Sequence, residues 1–148
     1  LTTEAWAYVG MFWSAFLSAT VLPGASEVTF VALAVSGEVV PSALVAVATV
    51  GNTLGSVANW ACGRFLLRFV DRRWFPVGQT QVDRAKCVFD RFGTWTLLLA
   101  WLPVVGDALT VAAGMLRVRM SVFVPLVGIG KLGRYLFLLG ASSLVAAG

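Results

Sequence analysis

Histidine is absent from this chain, and cysteine occurs only twice, as Cys62 and Cys87. With no imidazole and two widely separated thiols, no metal site is expected, and no organic cofactor is implied. A disulfide framework is equally unexpected, so both cysteines are read as free thiols. Charge is scarce as well: 12% of the residues are charged, seven acidic against eleven basic, while 59% are hydrophobic. A soluble domain carries roughly 25% charged residues. A chain of 148 residues with a mean hydropathy of +0.87 is therefore read as an all-α, polytopic integral membrane protein. That length holds a single membrane domain, residues 1–148, of about four to six embedded segments at roughly 20 residues per full crossing. The net charge of +4 does not point to nucleic acid. Its basic residues gather beside apolar runs, as retention on the cytoplasmic side requires.

Against this apolar background one pattern occurs twice. Residues 22–27 read Leu-Pro-Gly-Ala-Ser-Glu and residues 102–107 read Leu-Pro-Val-Val-Gly-Asp. Each places a helix-breaking Leu-Pro four residues before a carboxylate. Proline removes a backbone donor and clashes with the preceding turn. Glu27 and Asp107 are costly in hydrocarbon unless they line a protected or watery cavity. Ala5 to Val21 and Val28 to Ser36 flank the first break, and the second arm is too short to span about 30 Å as a helix. Two re-entrant helical hairpins are expected, broken at Pro23 and Gly24 in one and at Pro103 in the other.

The first hairpin leads into a long apolar helix from Ser42 to Gly63. Residues 64–93 then change character, with Arg64, Arg68, Arg72, Arg73, Arg84, Lys86 and Arg91 outnumbering Asp71, Asp83 and Asp90. Val82, Ala85, Phe89 and Phe92 recur there at helical spacing, as in an amphipathic helix lying on a membrane surface. Residues 94–148 repeat the plan: a hairpin leaving at Ala113-Gly114, then a long helix from about Met120 to Ala146. Aligning Gly37 with Gly114 also brings Gly51 onto Gly128. The chain is thus read as residues 1–63, a cytoplasmic connector 64–93, and residues 94–148. If the connector and Arg117/Arg119 share the cytoplasmic side, the hairpins enter from opposite sides and the repeat is inverted. Broken helices meeting near the midplane are a recurrent plan of secondary transporters.

Asn52, Ser56, Asn59 and Gly63 form one stripe on the first long helix. Two readings stand: packing through small residues and interhelical hydrogen bonds, or a stripe facing a substrate route. In the last helix Lys131 and Arg134 share a face with Tyr135. They suit a phosphate or carboxylate, and they equally suit neutralisation of Glu27 and Asp107. All four ionisable residues are expected to share one polar cavity.

Several blocks carry a resemblance: residues 16–27 (FLSATVLPGASE), Gly51-Asn52-Thr53-Leu54-Gly55, Cys62-Gly63-Arg64, residues 96–107 (TLLLAWLPVVGD), Ala113-Gly114 and residues 130–135 (GKLGRY). Together they resemble the YqaA-like branch of the DedA, or VTT-domain, family over nearly the whole chain. The resemblance implies two oppositely entering re-entrant hairpins, a bacterial inner-membrane location and lipid translocation. The substrates it implies are polyprenyl phosphate or phospholipid, moved with dependence on the proton gradient or by passive scrambling. Many members carry arginines two residues before and three after the second-hairpin proline, where this chain has Trp101 and Gly106. Ala25 likewise stands where many relatives have an acid.

The resulting expectation is a transporter or scramblase for an anionic lipid or related amphiphile, with protons as candidate coupling ions. Its pathway residues would be Glu27, Asp107, Lys131, Arg134, Asn52 and Asn59. No catalytic residues are assigned, because a lipid-phosphate enzyme would need a nucleophile or metal constellation. The alternative is a structural or assembly protein whose buried charges only stabilise helix packing. Glycine and alanine seams leave self-association open.

Overall fold

The computed structural model describes residues 3–20, 25–65, 79–102 and 105–147, and these are all helical apart from short links. The elements are α1 (Thr3–Thr20), α2 (Ala25–Ser36), α3 (Pro41–Phe65), α4 (Gln79–Phe92), a 3₁₀ arm (Gly93–Trp101), α5 (Val105–Met115) and α6 (Met120–Ala147). By length and composition α3 and α6 can each cross a membrane. The hairpin-break residues Pro23, Gly24 and Pro103, and connector residues 66–78, lie outside the described residues.

Small residues set how closely the helices approach. On α3, Gly51 and Gly55 sit against Ala15 and Ala19 of α1, and a Cβ on either would press on the carbonyl oxygen of Phe12 or Phe16. The shared four-residue spacing means that α1 and α3 run parallel. Near the other end of α3, Gly63 meets Gly114 of α5. A Cβ on Gly63 would strike the Val111 oxygen, and one on Gly114 the Trp60 oxygen. Such seams let backbones touch where lipid supplies no hydrophobic driving force between helices. α2 folds back along α1, since Ser14 Oγ lies 3.0 Å from Thr29 Oγ1 and Ser26 Oγ lies 3.2 Å from Ser18 Oγ. α6 runs antiparallel to α3: its Tyr135 reaches Asn52, while Trp60 donates to the Val118 oxygen just before α6 begins.

Each long helix therefore packs with the first arm of its own half and the second arm of the other. α3 holds α1 and α5, whereas α6 holds the 3₁₀ arm and α2. Apolar side chains face outward at helical spacing, among them Trp6, Val9, Trp13 and Leu17 on α1, while Ser18, Asn52, Ser56, Asn59, Thr110 and Lys131 are buried. Polar groups inside and large apolar groups outside suit a lipid surround.

Two sequence expectations change, and one arm takes a helix type that the sequence left open: the first arm of the second half is a 3₁₀ helix. It climbs about 2.0 Å per residue instead of 1.5 Å, so nine residues reach about 18 Å. Its end is set by Leu102, which is extended (φ −70°, ψ 135°) ahead of a proline. The second half also leaves its hairpin later than Ala113-Gly114. Gly114 is buried in the α3 contact, and the left-handed residue equivalent to Gly37 (φ 73°) is Arg117 (φ 59°), so the Gly37–Gly114 alignment does not mark equivalent positions. With Gly37 matched to Arg117, Glu27 and Asp107 correspond directly, each being the third residue of its helix. Finally, Val82, Ala85 and Phe89 of α4 are buried against the second half, in a cluster with Leu97, Leu109 and Ala112. Only Phe92, 59% exposed, remains free of that core.

Candidate functional site

The two acids begin short helices and meet bases from one face of α6. Glu27 forms an ion pair with Arg134. Asp107 lies within electrostatic range of Lys131, which is 1% exposed. Of the four residues expected to share one cavity, Glu27 and Arg134 are in direct contact, Asp107 and Lys131 are coupled only through their electrostatic field, and Lys131 and Arg134 sit one helical turn apart.

Around the first pair a hydrogen-bonded chain crosses four helices. Asn52 Nδ2 of α3 donates to the Ala15 oxygen of α1 (3.1 Å) and to the Tyr135 hydroxyl of α6 (3.0 Å). Tyr135 donates to Ser26 Oγ of α2 at 2.9 Å, and Ser26 in turn faces Ser18 Oγ of α1 and the Glu27 carboxylate. The Tyr135 ring also packs on Phe30, with centroids 5.2 Å apart. The second pair has a smaller counterpart. Asn59 Nδ2 donates to the Ala19 oxygen (2.6 Å) and to Thr110 Oγ1 (3.3 Å), and Thr110 donates to the Asp107 backbone oxygen (2.8 Å). On the α3 stripe, Asn52 and Asn59 each hold a carbonyl of α1. Ser18, Ser26 and Thr110 were missed by sequence reasoning, although the first two flank the Leu-Pro break and Thr110 follows Asp107 by one turn.

A cavity of about 610 Å³ opens between the 3₁₀ arm, α2 and α6. Glu27 and Arg134 form its charged wall, and Leu98, Trp101, Ile129 and Phe137 supply most of the rest. Gly133 lines it too, and a Cβ there would meet nothing within 4 Å. Its described lining includes the Glu27–Arg134 pair and not Asp107 or Lys131. Chemically this is an apolar groove with one adjacent cation and anion, able to hold a chain along its walls and a polar group at its base.

A model of the VTT domain matches residues 22–144, from the first Leu-Pro break to the far end of α6. The chain belongs to the VTT-domain (DedA) family. It is 40% identical to the inner membrane protein YqaA of Escherichia coli and of Shigella flexneri, over 95% of this chain and 94% of each relative. An uncharacterized protein of Haemophilus influenzae is 42% identical over 90% of this chain and 85% of its own length. No solved structure matches. With these relatives and its two long apolar helices, this VTT-domain protein is an inner-membrane protein.

Proposed function

We propose that this VTT-domain protein moves an anionic lipid or related amphiphile across the bacterial inner membrane, through the groove that ends at Glu27 and Arg134. The observation that carries this reading is the groove's composition: an ion pair at an otherwise apolar wall, in a chain with few charges. A lipid chain would lie along Leu98, Ile129 and Phe137 while its phosphate competes with Glu27 for Arg134. Two re-entrant hairpins of opposite sense belong to this proposal. It is supported by the fold-back of α2 on α1 and by the exchange of second arms between the long helices. Asp107 and Lys131, one turn toward the N-terminus of α6, would form a second polar station, and exchange of partners among the four charges would let a proton accompany each lipid.

Proteoliposome flux of a fluorescent anionic phospholipid tests this. Arg134→Gln is expected to lose most of the flux while remaining folded when combined with Glu27→Gln, which removes the stranded carboxylate. Full flux in that folded double variant would reject the groove. The structural reading draws on the burial of Lys131 and the hydrogen-bonded chain through Tyr135. It predicts stability losses and no flux in the parent protein.

A further inference from the structure

Two glycines of α6 line the large groove, and they differ in what surrounds them. A Cβ on Gly130 would come within 2.8 Å of the Leu98 oxygen, so Gly130 sets how closely α6 approaches the 3₁₀ arm. Gly133, about one turn on, is exposed, and a Cβ there would meet nothing within 4 Å. Glycine inside a helix costs backbone freedom that alanine does not. Gly133 neither turns the chain nor closes a contact in return.

The groove follows α6 along two rows at the four-residue spacing of neighbours on a helix face. Gly130, Arg134 and Leu138 make the inner row and are half-buried, whereas Ile129, Gly133 and Phe137 make the outer row and are exposed. Ile129 at 59% and Phe137 at 74% exposure stand up as a lip. At Gly133 the lip has no side chain, and this gap lies beside Arg134 and its partner Glu27. Gly133 is also near the middle of the 28 residues of α6, a helix long and apolar enough to cross the membrane, so acyl chains surround it there.

The size of the groove says what can sit inside it. A cavity of about 610 Å³ suits a drug-sized molecule. Each tail of a two-chain phospholipid reaches across half of a core of about 30 Å, so such a lipid does not fit whole. A headgroup at Arg134 must leave its tails outside, and the tails need a way through the wall.

We propose that Gly133 is a lateral portal: a phospholipid headgroup seated at Arg134 passes its acyl chains out over Gly133, between Ile129 and Phe137, and they stay in the bilayer while the headgroup crosses. The inference rests on the proposed lipid movement through this groove and adds the route of the tails. Chains that remain in hydrocarbon expose no apolar surface to water, so the protein has only the headgroup to accommodate. A methyl group at 133 leaves the portal open, and a long or aromatic side chain fills it.

Flux of fluorescent phosphatidylglycerol in vesicles of phosphatidylethanolamine and phosphatidylglycerol tests this, with thermal unfolding in detergent as the check on folding. Gly133→Ala should move lipid at the parent rate, and Gly133→Leu should slow it severalfold. Gly140 lies two turns further along nearly the same face, is exposed with open space at its Cβ, and is not part of the groove lining. Gly140→Leu should therefore keep the parent rate. Adding Phe137→Ala to Gly133→Leu should reopen the lip and recover part of the flux, which a defect in folding at 133 would not allow. Full flux in a folded Gly133→Leu, or equal slowing by Gly140→Leu, would overturn the portal. So would a halved particle mass in Gly133→Leu, which would place a second copy of the chain at Gly133 instead of lipid tails. The Glu27→Gln, Arg134→Gln double variant keeps the two readings apart. Lost flux there beside full flux in Gly133→Leu would reject the portal alone, and full flux in both would reject transport through the groove.

Discussion

Tyr135 joins more of the interior than any charged residue does, because its hydroxyl accepts from α3, donates to α2, and its ring packs on Phe30. Tyr135→Phe keeps the ring and removes both hydrogen bonds, so a loss of about 1 kcal/mol is expected in detergent unfolding. The Glu27–Arg134 pair should behave differently. Removing one partner strands the other at about 3–5 kcal/mol. Glu27→Gln with Arg134→Gln should therefore cost less than the sum of the single losses. Additive thermal shifts across this double-mutant cycle would show that the pair is not coupled.

At the scale of elements, glycines divide into those that admit a side chain and those that do not. Gly63→Ala and Gly114→Ala each drive a Cβ into a backbone oxygen of the facing helix, where nothing flexible can yield. Both should collapse the thermal transition. Gly10→Ala and Gly133→Ala meet open space inside helices, and removing glycine's backbone freedom there should be neutral or stabilising by up to about 1 kcal/mol. Equal melting of all four variants would contradict the seams.

Much of this level was legible in the sequence. Hydropathy marked both long helices, and the apolar spacing of Val82, Ala85 and Phe89 marked α4. What that face packs against was not legible, because periodicity reports that a stripe is buried and not whether protein or lipid covers it. Glu27, Asp107, Lys131 and Arg134 stood out as charges in apolar runs, but their division into pairs depends on the rotation of α6 about its axis. Ser18, Ser26 and Thr110 escaped notice because hydroxyl residues are ordinary in membrane helices and become informative only when a partner from another helix is known. The 3₁₀ geometry of Gly93–Trp101 is not encoded by any local propensity in that run.

For the whole molecule, the distribution of basic residues predicts that Cys87 faces the cytoplasm. A membrane-impermeant thiol reagent should leave it unlabelled in intact spheroplasts and label it after lysis. Labelling from outside would reverse the orientation. The packing of the long helices bears on biogenesis as well. Residues 1–65 reach the bilayer first, and until α5 is made, Asn59 and Gly63 of α3 lack the neighbours that cover them. Neither half closes its own interior. The halves expressed singly should be degraded, whereas two polypeptides divided within 66–78 and produced together should assemble and co-purify. Quality-control proteases would thus meet, in every newly made chain, an interval in which the polar stripe of α3 and the carboxylate of Glu27 both await their partners.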